Sequence, residues 1–145
     1  MKLKVLNPDN TGLTKEMIAL REKRMKQIAR PDTQIDMEVQ EKTKICVDSA
    51  LDVAVTSLEL IEKAVQAEKD GYDVIGLYCS GDPAMDAIRE AVSIPVIGAG
   101  QSSLQIAVGL GSGFPGSLPQ TAMWDRTGRS ENQGLTIADW HRSGV

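Results

Sequence analysis

The segment best suited to chemistry is Cys79-Ser80-Gly81-Asp82-Pro83. It follows the apolar run Val74-Ile75-Gly76-Leu77-Tyr78, which reads as a buried strand. Asp82 and Pro83 read as the N-cap and first residue of a helix. A thiol between a strand end and a helix start lies near the positive end of the helix dipole, which favours the thiolate. The amides of Ser80 and Gly81 would hold a nearby anion. Asp82 opposes this, because a carboxylate beside sulfur raises the thiol pKa, unless the helix cap takes up its charge. A cysteine at a strand end also serves as a small buried hydrophobe.

Asn7 is the second candidate. It closes the apolar strand at residues 2–6. Asparagine forms turns, and in a crevice its carboxamide donates to and accepts from a carboxylate or amide ligand. Asn10 and Thr11 share both roles. Gly98-Ala99-Gly100 carries two glycines of a dinucleotide loop, but Ser103 stands at the third position and a fourth strand precedes the loop. A nucleotide-binding flavodoxin-like domain is therefore disfavoured. Gln101 and Ser102 read as caps of the next helix, with Gln101 within reach of a ligand. Cys46 reads as a packing residue, and His141 lacks a partner and receives no role. The two cysteines fit no zinc or redox spacing, so neither a metal site nor a structural disulfide is expected.

These residues need a frame. Residues 2–6 read as a strand and residues 14–29 as a helix, with Thr14 as N-cap and Met17, Ile18, Leu20, Met25 and Ile28 near helical spacing. Ile35, Met37 and Val39 alternate in a second strand over residues 34–39. Residues 42–55 are ambiguous between loop and short helix. Residues 57–70 form a strong helix with Leu60, Ile61, Ala64, Val65 and Ala67 inward, ending at Gly71. A third strand spans residues 73–78. A third helix then begins at Asp82, with Met85, Ile88 and Val92 on one face. Residues 95–98 make a fourth strand and residues 102–110 a fourth helix.

Strand and helix alternate, which calls for an α/β fold with a parallel sheet and right-handed crossovers. The expected architecture is a three-layer, flavodoxin-like sheet in the order 2-1-3-4. Chain direction reverses between strands 1 and 3, and ligands bind at the carboxyl ends of strands at such a switch point. Fold logic alone thus sets Asn7 beside Cys79, with residues 98–102 bordering the same crevice.

Bulk properties narrow the function. The 145 residues suffice for one ordinary domain, and a net charge of -4 without a basic cluster argues against nucleic acid. No stretch resembles a signal peptide or a membrane span, so a cytoplasmic setting is the default. The composition is uneven: all nine lysines lie at or before Lys69, while both tryptophans, the histidine and the phenylalanine lie at or after Phe114. Residues 1–112 read as the α/β lobe and residues 113–145 as an atypical tail.

The quoted residues resemble the Asp/Glu racemase superfamily, and within it the hydantoin racemase branch. Leu6-Asn7-Pro8-Asp9-Asn10-Thr11 is similar to its Asn-Pro-Asn-Thr-like first loop, with one extra residue. Cys79-Ser80-Gly81-Asp82-Pro83 is similar to its Cys-x-Gly-Asp-Pro motif, and Ile94-Pro95-Val96-Ile97-Gly98 to its Pro-Val-x-Gly strand. Ser49-Ala50-Leu51-Asp52 also fits. The resemblance spans residues 1–111 and implies one lobe of a two-lobe fold. It implies a cofactor-independent racemase acting on an amino acid, hydantoin or similar small molecule. Two cysteines on opposite faces of the substrate would move the proton at Cα. Cys79 matches the first of these, and Asn7, Asn10, Ser80, Gly81 and Gln101 would bind substrate. The family's second cysteine falls late in its second lobe, and nothing in this chain matches it. The tail accordingly reads as the start of a truncated or frameshifted second lobe. Apolar surface left uncovered by that lobe would favour a homo-oligomer. The competing reading is a non-catalytic, small-molecule-binding or vestigial domain.

Overall fold

The computed structural model describes residues 1–9, 11–42 and 45–110. Eight elements alternate: β1 (Lys2–Asn7), α1 (Lys15–Ile28), β2 (Gln34–Val39), α2 (Ala50–Lys69), β3 (Val74–Leu77), α3 (Met85–Ala91), β4 (Val96–Gly98) and α4 (Ala99–Leu110). All strand pairs are parallel, and the order is β2-β1-β3-β4. The 34–39 strand and the Thr14 cap match the sequence expectation, with the Thr14 hydroxyl accepting from the Met17 amide at 3.3 Å.

Side-chain alternation decides the layers. Leu3 and Val5 face one side of β1, where they meet Ile35, Met37 and the α1 residues Ile18 and Met25. Leu6 faces the other side with Ile75, Leu77 and Val96, packed against Leu60, Ala64 and Ala67 of α2 and Ile88 of α3. The sheet is thus covered by α1 on one face and by α2 and α3 on the other, as right-handed crossovers require.

Three helix starts depart from the sequence reading; the simplest is α4, which begins at Ala99 and takes Gln101 and Ser102 into the helix instead of leaving them as caps. The ambiguous stretch ends in helix: α2 starts at Ala50, well before Ser57. Ser49 caps it, its hydroxyl oxygen accepting from the Asp52 amide at 3.2 Å, while the Asp52 carboxylate accepts from the Ser49 hydroxyl at 2.6 Å and the Asp48 amide at 3.2 Å. This is a reciprocal capping box with Asp in the acidic position. Periodicity misses these first turns because Leu51, Val55 and Leu58 lie exposed instead of forming a buried stripe. The far end behaves as expected, with Gly71 in the left-handed region at φ 78°.

The remaining departure is α3, which begins at Met85 and not at Asp82. Asp82 does not cap it. Ala84 occupies the N-cap position in a left-handed conformation without a side-chain cap, and Pro83 is buried just before it. A side chain caps a helix from extended backbone, whereas Asp82 has φ 44°. Its carboxylate is engaged elsewhere.

The β2 edge is held by charge. Glu38 pairs with Lys4 at 2.6 Å and with Lys63 of α2. Lys63 also pairs at 3.7 Å with Glu59, which is buried and accepts from the Glu41 amide at 2.6 Å. Burial pushes the Glu38 carboxyl up, but its bonds to Lys4 and Lys63 outweigh this and hold it below the ordinary value of 4.5. A lowered carboxyl contributes stability above its unfolded-state pKa, and that contribution is lost as pH falls through the folded-state value. Glu38→Gln is expected to lower stability at neutral pH by about 1–3 kcal/mol. It should also flatten the acid loss that the native chain shows below about pH 4.5 in urea titrations. Equal stability at neutral pH with an unchanged acid slope would show that these pairs contribute nothing.

Candidate functional site

β1 and β3 lie side by side and end level, with Leu6 opposite Leu77. The Tyr78 amide donates to the Leu6 carbonyl at 2.8 Å, which extends the pairing one step past β3. The loops that begin at Asn7 and Cys79 therefore leave the sheet as neighbours. β4 lies on the far side of β3, so the start of α4 borders the same end. Arg21 of α1 stacks over the Tyr78 ring at 5.2 Å, steadying the residue just before Cys79.

Asn7 is 3% exposed. Its carbonyl accepts from the Gln40 amide at 3.3 Å, and its side-chain Oδ1 accepts from the Asp9 amide at 3.4 Å. The second bond fixes which way the carboxamide points, and Nδ2 is left buried without a hydrogen-bond partner. Such a donor costs about 1–3 kcal/mol, a penalty that a ligand carbonyl would remove. Asn10 lies outside the described residues, as does the whole tail expected at residues 113–145.

The Cys79 loop is tied to α4. Its turn is closed by the Asp82 amide on the Cys79 carbonyl at 3.1 Å. The Asp82 carboxylate accepts from the Gly100 amide at 2.9 Å and the Gln101 amide at 2.6 Å. These are early amides of α4, which its own ladder leaves unpaired. Asp82 caps a helix, but the one after β4. Close approach demands the two glycines of the Gly98-Ala99-Gly100 segment. A Cβ on Gly98 would overlap the Asp82 carboxylate, and one on Gly100 would overlap the Ser80 carbonyl oxygen. The glycines thus have a packing role that requires no nucleotide. Gln101, expected at the ligand, has its Oε1 held by Arg89 at 2.8 Å, and Arg89 also donates to the Val96 carbonyl at 3.0 Å. Cys79 is half-buried, while Ser80 and Gly81 are exposed.

Cys46 departs from expectation. It is exposed, not packed. Its Sγ lies 3.4 Å from Asp48 Oδ1 and 4.0 Å from Asp9 Oδ2, which sets the segment against the loop after β1. The Asp48 contact pushes the Cys46 thiol above its ordinary range, helped by slight burial and by Asp9 and Asp52. Ser49-Ala50-Leu51-Asp52 was the sequence signal for this arrangement, since a capping box forces a sharp entry into the helix. Among the described residues no group of His, Cys, Asp and Glu could hold a metal ion. Two hollows of about 320 and 310 Å³ lie away from the crevice, one on α1 and one between β2 and α2. Neither includes Asn7 or Cys79.

The sequence carries the match of the Asp/Glu/Hydantoin racemase model over residues 5–114, most of the chain. The chain belongs to that family. A hydantoin racemase from Pseudomonas sp. (strain NS671) is 34% identical over 115 residues, covering 79% of this chain and 45% of the relative. A hydantoin racemase from Paenarthrobacter aurescens is 25% identical over 108 residues, covering 74% and 44%. The chain therefore spans about 45% of the length of these relatives. In structure it is similar to allantoin racemase from Klebsiella pneumoniae, with TM-score 0.64 at 23% identity over 74% of this chain and 42% of that one. A mutant of arylmalonate decarboxylase in its liganded form matches with TM-score 0.53 at 16% identity, over 75% and 46%. These two likenesses establish the α/β fold.

The acidic setting of Cys46 has a measurable consequence. At pH 7–8 its alkylation by iodoacetamide should be slow for so exposed a thiol, and Asp48→Asn should speed it about threefold to tenfold. Mass-resolved labelling that finds Cys46 unaffected by the substitution would remove the carboxylate from the explanation.

Proposed function

We propose that the chain carries one half of a cofactor-independent racemase site for a small molecule with an acidic Cα–H, of the hydantoin or allantoin type. The observation that carries this reading is the buried, unpartnered Asn7 Nδ2 at the switch point, beside the loop that bears Cys79. Cys79 as thiolate takes the Cα proton. The electron pair moves into the adjacent carbonyl, whose oxygen gains negative charge. Asn7 Nδ2 donates to that oxygen, with the amides of Ser80 and Gly81 as further donors, and these bonds strengthen as the charge develops. Reprotonation from the opposite face completes inversion. By the family resemblance a second thiol outside this chain's matched motifs supplies that proton. Asn10 is assigned to substrate by the same resemblance. Gln101 serves this site by holding α4, since its amide and its Oε1 are both engaged.

Family membership and the relatives' printed activities support the reaction class; Asn7 and the order of the loops support the roles. No helix among the described residues is long and apolar enough to cross a membrane, and we include a cytoplasmic setting in the reading. Exposed Leu51, Leu58, Ile106 and Leu110 supply apolar surface consistent with self-association. A binding role without turnover is the second reading. The exposure of Ser80 and Gly81 favours it, because an enzyme that moves a proton at carbon normally shields the intermediate from water.

The test is exchange of the Cα hydrogen of a 5-substituted hydantoin in heavy water. The native chain should exchange it above background, and Cys79→Ser and Asn7→Ala should each lower the rate about 100-fold or more. Exchange that survives Cys79→Ser would remove that residue from the chemistry. A ligand-induced thermal shift without exchange would leave the binding reading.

A further inference from the structure

We propose that Asp82 is the positioning residue of the Cys79 loop: its carboxylate, seated on α4, holds a strained turn in the conformation that presents the thiol beside Asn7. The site described above supplies the place where this matters, but the strap itself does not rest on the chemistry proposed there.

The turn is strained by its own backbone. Asp82 at φ 44° and Ala84 at φ 60° both carry side chains in the left-handed region that favours glycine. Residues held so are concentrated at functional sites and persist only where their surroundings over-determine them. Within the turn the Asp82 amide donates to the Cys79 carbonyl at 3.1 Å, and the Met85 amide to the Asp82 carbonyl at 3.2 Å. They meet at the strained residue itself. The opposing force comes from outside the turn. Two charge-assisted bonds join the Asp82 carboxylate to Gly100 and Gln101. Gly98 and Gly100 clear the space this needs. The anchor is firm, because Arg89 of α3 binds both the β4 carbonyl of Val96 and the side chain of Gln101. Asp82 thus joins the β3–α3 loop to the β4–α4 junction, the two segments that border the crevice on the Cys79 side. Only a carboxylate serves both amides at once; a carboxamide sets its own N–H groups against one of them.

The experiment needs no substrate. Amide exchange is followed by NMR in the native chain, in Asp82→Asn and in Asp82→Asn with Ala84→Gly. Asp82→Asn should speed exchange at Gly100 and Gln101 about tenfold, and should speed it equally at residue 82 and Met85 within the turn. Ala84→Gly relieves strain, so the double variant should recover most of the turn's protection while Gly100 and Gln101 stay fast. Maleimide labelling of Cys79 should rise about fivefold or more in Asp82→Asn, by the same factor across pH 6–9, because a half-buried thiol comes out. If Gly100 and Gln101 open while the turn and the labelling rate stay native, Asp82 only caps α4 and the proposal fails. A labelling factor that changes with pH would overturn it too, since charge and not position would then be the cause. If Asp82→Asn fails to fold, Gly100→Ala crowds both the Ser80 carbonyl and the Asp82 carboxylate away from the start of α4 and should give the same rise in labelling; native labelling there would contradict the idea. A chain with the strap as described but no hydantoin exchange would lose the proposed chemistry and keep this inference.

Discussion

The crevice depends on one carboxylate meeting two amides. Asp82 reaches across from the Cys79 loop and takes the start of α4, and the local oddities of the region follow from it. The first turn of α3 is lost because its expected cap is engaged elsewhere. Asp82 takes a backbone conformation that its side chain disfavours. Two positions in the β4–α4 junction must be glycine because a carboxylate and a carbonyl fill the space a Cβ would occupy. The positive end of α4 is neutralised from within, so it offers no anion site to a ligand. A family motif is here explained by packing and hydrogen bonding: the Asp and the two later glycines form one contact.

Asn7 is the counterpart. The strap holds the Cys79 loop, and Asn7 sets a buried donor at the neighbouring end of β1. A parallel sheet brings the ends of β1 and β3 together whatever their sequences. This sequence places there a buried amide donor whose oxygen is already used. A protein gains nothing from burying such a group without a partner.

Much of this was legible in the sequence, for identifiable reasons. Strand order follows from alternation and crossover handedness, and it alone places Asn7 next to the Cys79 loop. The Thr14 cap and the Gly71 terminus were local signals, and local signals held. What failed was non-local. Asp82-Pro83 is a good helix start judged alone, and only the spatial neighbour Gly100 shows why the aspartate is engaged elsewhere. The first turns of α2 were hidden because Leu51, Val55 and Leu58 face outward, against the rule that apolar spacing marks a buried stripe. Cys46 differs too: a free cysteine reads as a packing residue, but here it is exposed with its Sγ against Asp48 and Asp9.

The central claim is that Asn7 and the Cys79 loop form a binding crevice for a small amide-bearing molecule. The most direct measurement is an NMR titration of the ¹⁵N-labelled chain with a 5-substituted hydantoin, following side-chain and backbone amides together. The expected result is a shift of the Asn7 side-chain amide with those of Ser80 and Gly81, while the amides of the β2–α2 charge network stay still. Shifts confined to that network, or an Asn7 side chain unmoved at saturating ligand, would contradict the account.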